Sequence, residues 1–165
     1  MNNNQQINNQ NAIDSHCLLI GRLVNNAAVC DVILFSVFKS LSGCTLEIAR
    51  AIYYTNESLQ AKKRLVDRTL KASNFKESEK IVNKIVKATS KAHTQRNELS
   101  HSLIRFNADN QALAQNPRHQ QKSCKLITEA YLDSLLKNST KAFLECQQAA
   151  NELSQITGEQ YPENL

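Results

Sequence analysis

Apolar residues recur at intervals of three and four along most of the chain, which is the spacing of a helix that buries one face. The first such stretch predicts a helix over residues 12–41 that ends at Ser42 and Gly43, because glycine tolerates the positive φ of a helix C-terminus. Asp14 or Ser15 is expected near its start. The expected core positions are Ile13, Cys17, Ile20, Val24, Ala27, Ala28, Leu34, Val37, Phe38 and Leu41. This helix is predicted to be the central one.

Residues 46–72 show the same apolar spacing after Thr45 and predict a second helix. A kink is expected near Thr55 and Asn56, where two weak helix formers meet. The expected inner positions of this helix are Ile48, Ile52, Leu59, Leu65, Val66 and Leu70.

Two more helices are predicted on either side of a polar segment. The third begins after a capping pair at 73–74 and covers about 75–105. Residues 107–121 contain a proline and many Asn and Gln, so they are expected to form a surface loop. The fourth helix covers 123–157, and Gly158 is expected to end it. Its expected inner positions are Leu126, Ala130, Leu135, Ala142, Cys146, Ala149 and Leu153.

Residues that form turns are scarce, since the 165-residue chain has only three Gly and two Pro. No stretch shows the alternating pattern with regular turns that strands need. These features predict an all-α fold, an antiparallel four-helix (up to five-helix) up-and-down bundle. The length suits one domain, which we place at residues 12–158. Residues 1–11 are almost all Asn and Gln and predict a disordered tail, and residues 159–165 form a C-terminal tail.

Five cysteines are scattered singly, with no CxxC pair and no histidine at metal-ligand spacing. We therefore expect reduced, buried thiols in a cytoplasmic protein, with no bound metal and no cofactor. The most apolar run, residues 17–41, suggests a membrane span, but polar and charged residues interrupt it. These are Arg22, Asn25, Asn26, Asp31 and Lys39. We expect a buried core helix and no association with a membrane.

Charge is distributed unevenly along the chain. Residues 62–125 hold 15 Lys and Arg against 5 acids, whereas the rest holds 5 basic and 10 acidic residues. Four lysines of the third helix share one flank because they are spaced by four, three and four residues. They are Lys80, Lys84, Lys87 and Lys91. Like charges at this spacing repel, so this flank, with Arg68 from the preceding helix, predicts a surface that binds nucleic acid. Ordinary solvated surface is the alternative.

A second group of polar residues stands at the end of this basic helix. Asn97 and His101 are four residues apart and are expected on one face, with His93 one turn earlier on the same side. Arg96 falls within about 20° of the apolar stripe, so its guanidinium is expected to point to the bundle seam or to another chain. A charge there needs a carboxylate, a phosphate or a cleft. Each residue alone also fits an ordinary structural role.

Residues 96–101, Arg-Asn-Glu-Leu-Ser-His, resemble the Arg-x4-His motif of the HEPN superfamily, in which a polar residue, often Asn, follows the arginine. The resemblance extends to the predicted bundle with its motif in a late helix. It implies a metal-independent endoribonuclease in which His101 moves the proton at the ribose 2′-hydroxyl or the leaving oxygen. Arg96 would stabilise the phosphate charge, and Asn97 would orient the histidine or the phosphate. It further implies a homodimer with two motifs in one cleft, and an antitoxin or a nucleotidyltransferase as partner in some members.

Three hypotheses follow from these residues. The first is an RNA-cleaving homodimer with Arg96, Asn97 and His101 as catalytic residues, acting in a toxin–antitoxin, defence or RNA-processing role. The second is a non-catalytic HEPN-like binding or scaffold module for nucleic acid or a partner protein, since the superfamily contains inactive members. The third is a structural helical oligomer. In the first two hypotheses the four lysines, with His93 and Arg68, bind RNA.

Overall fold

The computed structural model describes residues 3–107, 111–115 and 124–158, which form five α-helices and a three-stranded sheet. The helices are α1 (Asn3–Ser42), α2 (Leu46–Tyr54), α3 (Leu59–Ala72), α4 (Glu79–Ser100) and α5 (Glu129–Thr157), with one turn of 3-10 helix at Lys76–Ser78 before α4. The strands are β1 (Leu103–Phe106), β2 (Ala112–Gln115) and β3 (Cys124–Leu126). Helices dominate the fold, so the predicted all-α bundle class is confirmed.

The core lies where α1, α4 and α5 pack against one another, and α2 and α3 pack on the outside of α1. Its fully buried side chains include Ile33, Leu34, Val37, Ile85 and Leu153. The prediction that α1 is the central helix is therefore confirmed. Burial of these apolar surfaces is the main stabilising contribution, about 1.5–3 kcal/mol for each large aliphatic side chain.

The inner face of α1 differs from the prediction in its first half. His16, Leu19 and Leu23 are buried there, whereas Cys17 and Val24 are exposed. The reason is that apolar residues occupy several faces of this segment, so spacing alone does not select one of them. The expected burial of the thiols is confirmed for Cys30 and Cys146 and is wrong for Cys17, whose side chain is exposed. In α5 the expected inner positions are correct from Leu135 onward.

The predicted kink is a full break, because the chain leaves the helix after Tyr54 and α3 begins at Leu59. The side chain of Ser58 caps α3 by accepting a hydrogen bond from the Ala61 N–H at 3.1 Å. In α2, Ala49 and Tyr53 are buried while Ile48 and Ile52 are exposed. The expected inner stripe was therefore wrong in α2, since the large ring of Tyr53 takes the inward position.

The two helix ends that were predicted at glycine residues are confirmed. Gly43 has φ of 64° and its N–H donates to the Lys39 carbonyl at 3.2 Å, and Gly158 has φ of 70° with its N–H on Ser154 at 2.9 Å. The predicted capping pair before α4 was wrong. Ser73 ends α3 instead, because its hydroxyl donates to the Leu70 carbonyl at 2.9 Å.

The antiparallel sheet, in the order β1-β2-β3, connects α4 to α5 and was not predicted. The helix expected to reach Arg105 ends at Ser100, because Leu-Ile-Arg-Phe at 103–106 favours an extended chain. On the far side, Thr128 caps α5 by accepting from the Tyr131 N–H at 3.1 Å, so α5 begins at Glu129. Ala114 packs with Leu99 and Leu135 in a second apolar cluster, which supports the sheet. Residues 112–115 of the predicted loop at 107–121 form β2 instead, and residues 108–110 and 116–121 lie outside the described residues, as does all of the C-terminal tail at 159–165.

The N-terminal segment differs from the predicted disordered tail, since α1 begins at Asn3. Each residue that extends an existing helix gains one hydrogen bond for one fixed residue, so a stable helix can continue into polar sequence. Residues 1–2 lie outside the described residues. In α1, Ile13–Ser42 is long and apolar enough to cross a membrane by length and hydropathy, and 44% of its most apolar window is buried in the bundle.

His16 carries a pH dependence of stability. Only 2% of its surface is exposed, neither ring nitrogen has a hydrogen-bond partner among the described residues, and burial lowers the pKa of the imidazole from its ordinary 6.5. The unfolded chain therefore binds more protons at this site, so the free energy of unfolding is expected to fall as pH drops below 6.5. Urea unfolding at about pH 7.5 and about pH 5 is expected to show a smaller loss for His16→Leu than for wild type. Equal losses would contradict this.

Candidate active site at the end of α4

His101 lies at the junction of α4 and the sheet. It is the C-cap residue of α4, with φ of −104° and ψ of 8°, and its side chain is exposed. Its N–H donates to the Leu99 carbonyl, and β1 begins two residues later at Leu103. The imidazole is therefore held at the surface by a rigid helix on one side and a strand on the other, where a solvent-borne substrate can reach it.

Arg96 and Asn97 form a hydrogen-bonded pair one turn before this junction. The Nη1 of Arg96 donates to the Oδ1 of Asn97 at 2.6 Å, a distance typical of a charge-assisted bond. Arg96 is half-buried, in keeping with its expected place beside the apolar stripe, and Asn97 is exposed. Within the described residues Asn97 orients the arginine, and no hydrogen bond joins it to His101. The remaining N–H groups of the guanidinium are available to an anion.

Arg96 and His101 present their side chains on different faces of α4. Five residues along an α-helix correspond to about 7.5 Å of rise and about 140° of rotation. Only His101 departs from helical geometry, through its C-cap conformation. The motif of one subunit therefore directs its cation and its proton-transfer group to different sides of the end of the helix.

Behind Arg96 lies a polar group that we name the Asp31 cluster, made of Asp31, Tyr53, Tyr54, Lys62 and His93. The Nζ of Lys62 is 2.6 Å from the Oδ2 of Asp31, and both side chains are less than one-fifth exposed. The hydroxyl of Tyr53 donates to the Oδ1 of Asp31 at 3.0 Å. The Lys62 ammonium also lies 4.8 Å from the Tyr53 ring centroid and 5.2 Å from that of Tyr54.

His93 joins this cluster to the motif. Burial lowers the pKa of its imidazole, Asp31 raises it, and the positive charges of Arg96 and Lys62 lower it further. Its Nε2 is buried and has no hydrogen-bond partner among the residues described. Burial and the Asp31 carboxylate both raise the pKa of Tyr53 as well. The cluster is thus a partly dehydrated site in which the charge of Asp31 is matched by that of Lys62.

The structure separates His93 from the lysines with which it was predicted to bind RNA. His93 lies nine residues after Lys84, which at about 100° per residue is half a turn away. The lysine flank faces α5, whereas His93 faces the Asp31 cluster on the other side of α4. His93 and the lysines, which were predicted to bind RNA together, therefore lie on separate sides of α4, with the histidine in the partly buried Asp31 cluster.

The lysine flank of α4 is exposed as expected, but acids of α5 balance part of it. The Nζ of Lys84 is 3.1 Å from Glu152, and the Nζ of Lys91 is 3.0 Å from Glu145. With Lys87, these residues line a groove of about 360 Å³ between the two helices. The expectation that no acids balance this flank is wrong for these two lysines. Their partners are more than 50 residues away in sequence, so the local charge pattern did not reveal them. Lys80 on α4 and Arg68 on α3 are exposed elsewhere.

Sequence reasoning did not identify Asp31, Tyr53 and Tyr54 as members of a site. One signal was available: Asp31 is the single acid in the apolar run 17–41, and a charge in a core helix needs a partner. The sequence did not show that the partner is Lys62, which lies 31 residues later on α3.

No group of three or more His, Cys, Asp or Glu side chains in the described part of the chain is arranged to hold a metal ion. Comparison with protein-family models, curated proteins and solved structures finds no match for this chain.

Proposed function

We propose that the protein is a HEPN-like, metal-independent endoribonuclease of the cytoplasm. The observation that carries this proposal is the arrangement at the end of α4, where an exposed His101 follows an arginine oriented by its hydrogen bond to Asn97. A cation and an exposed imidazole are the groups that phosphodiester cleavage requires, and the two motifs of a homodimer would bring them together. RNA is the substrate because its 2′-hydroxyl supplies the nucleophile inside the molecule.

In this mechanism the imidazole of His101 accepts the proton of the ribose 2′-hydroxyl as the oxygen attacks phosphorus. The bond from phosphorus to the 5′-oxygen breaks, and an imidazolium returns a proton to that oxygen. The products are a 2′,3′-cyclic phosphate and a 5′-hydroxyl. Arg96 stabilises the charge that develops on the phosphate oxygens.

A homodimer suits this chemistry because one imidazole cannot serve as base and acid in the same step. Two motifs facing one cleft would supply two histidines, and the different directions of Arg96 and His101 within one subunit fit a site completed by its partner. An antitoxin or a nucleotidyltransferase is a further partner by family analogy.

The proposal is tested with purified protein and single-stranded RNA in EDTA. Wild type is expected to generate RNA fragments that end in 2′,3′-cyclic phosphate, which an acid treatment converts to the monophosphate and mass spectrometry identifies. Size-exclusion chromatography with light scattering gives the oligomeric state of the same sample. Intact RNA at every pH within about two units of neutrality would contradict the proposal.

A non-catalytic binding module is the second candidate, and the groove between α4 and α5 favours it. Its mixture of Lys84, Lys87 and Lys91 with Glu145 and Glu152 suits a protein partner of mixed charge better than a polyanion. This candidate predicts that Lys84→Glu with Lys87→Glu abolishes partner binding, whereas His101→Ala does not affect it.

A further inference from the structure

We infer that Tyr54 is a stacking platform for one unpaired base of single-stranded RNA, flanked by Arg50 and Lys62. The inference rests on the proposed function in taking RNA as the ligand, and it extends the site from the end of α4 across the Asp31 cluster to α2. It adds a base-binding residue outside the Arg-x4-His segment.

Tyr54 combines exposure with rigidity. Its relative exposure is 48%, although Tyr53 beside it on α2 is fully buried. The Tyr54 ring packs on the buried Phe35 with centroids 5.3 Å apart and on Tyr53 at 5.2 Å in an edge arrangement. A ring fixed from beneath loses little conformational freedom when a base stacks on it, and an exposed aromatic face binds any base because every base has a π face.

Charges of both signs lie near this ring, because Lys62 is paired with Asp31 at 2.6 Å and Arg50 is exposed. The Nζ of Lys62 lies 5.2 Å from its centroid, and the charge of Arg50, one turn earlier on α2, acts on the Tyr54 hydroxyl. Cations beside an aromatic platform attract the phosphates on either side of a stacked base. An aromatic residue that only filled the core would be buried, as Tyr53 is, and would not lie half exposed beside Arg50 and Lys62.

The platform and Arg96 both lie near the Asp31 cluster. Lys62 lies beside both Asp31 and the Tyr54 ring, and the charges of Asp31, Lys62 and Arg96 all act on His93. A phosphate at Arg96 and a base at Tyr54 would belong to the same strand. Single-stranded RNA is the form that fits, because bases in a duplex are stacked on each other and hide their faces.

The direct test is Tyr54→Trp, since the chain contains no tryptophan and the new indole reports on this position alone. The full-length variant is made in a His101→Ala background, so that RNA is bound and not cleaved. Titration with a single-stranded uridine or adenine oligonucleotide is expected to quench the indole fluorescence, and the matching duplex is expected to quench it much less. Unchanged fluorescence at RNA concentrations that saturate binding would overturn the inference.

Affinity gives a second readout in the same background. Tyr54→Ala and Tyr54→Leu are expected to weaken binding of a fluorescein-labelled single strand by about 5- to 100-fold, whereas Tyr54→Phe retains it. Leu144→Ala, at another exposed apolar position on α5, is the control and is expected to bind normally. Normal binding by Tyr54→Ala would overturn the inference, as would equal losses for Tyr54→Ala and Tyr54→Phe.

The two proposals fail separately. Cleavage of RNA by wild type, with no quenching of the indole in the Tyr54→Trp variant, would support the proposed ribonuclease and exclude Tyr54 as a stacking platform. Quenching of that indole with no cleavage by wild type would keep the platform in a protein that binds RNA without cutting it.

Discussion

Replacement of His101 by alanine is expected to lower the rate of RNA cleavage by about 10²- to 10⁴-fold, because the proton of the attacking 2′-hydroxyl loses its acceptor. The side chain is exposed and lies at the C-cap, so the fold does not depend on it. Initial rates on a fluorescent single-stranded RNA in EDTA measure the change. His101→Gln, which keeps the side-chain size, is expected to be as inactive as His101→Ala.

Thr94→Ala is the matched control for this experiment. Thr94 is an exposed residue of the same helix, and its hydroxyl bonds only to the preceding turn, at Ser90. It is expected to cleave RNA at the wild-type rate. Arg96→Lys keeps a positive charge but loses the planar fork and the bond to Asn97, so it is expected to be impaired as well. Full activity in His101→Ala would exclude this histidine from the reaction.

Loss of the Lys62 ammonium is expected to lower the free energy of unfolding by about 3 kcal/mol in Lys62→Met, because Asp31 then remains in a partly buried place without its cation. The carboxylate would keep only the Tyr53 hydroxyl as a side-chain donor among those described. Urea unfolding followed by circular dichroism at neutral pH measures the change. The double variant Asp31→Asn with Lys62→Met is expected to lose less than the sum of the two single variants, since both single variants break one shared interaction.

Lys71→Met is the matched control, because Lys71 pairs with Asp67 at 2.8 Å on the exposed surface of α3. Water screens that pair, so a much smaller effect on stability is expected. If Lys62→Met and Lys71→Met unfold at the same urea concentration, the Asp31 cluster does not hold α1 and α3 together.

The parts of the fold that followed from the sequence are those set by local rules. Gly43 and Gly158 end their helices because each adopts a positive φ, and Thr45 precedes α2 as a side-chain cap. The bundle class follows from apolar spacing over long segments. The bounds of α4 and α5 did not follow, because the sheet between them depends on long-range pairing of β1 with β2 and on packing of Ala114 in the second apolar cluster.

Only the part of the candidate site that is contiguous in sequence could be predicted. Arg96, Asn97 and His101 are contiguous enough for a motif to identify them. Asp31 and Lys62, by contrast, meet only because α3 folds back on α1, and their separation of 31 residues carries no periodic signal. The acids of α5 that face the lysines of α4 are also distant in sequence, so only the excess of cations along α4 could be predicted.

The sheet determines where His101 stands. Because this residue belongs to the short connection from Ser100 to Leu103, its position is tied at one end to a 22-residue helix and at the other to a strand paired with β2. Extra residues inserted at 107–111, after β1, would not change the position of His101 between α4 and β1. One residue added between Ser100 and Leu103 would instead change the direction of the imidazole relative to Arg96, so we expect this connection to tolerate changes of side chain far better than changes of length.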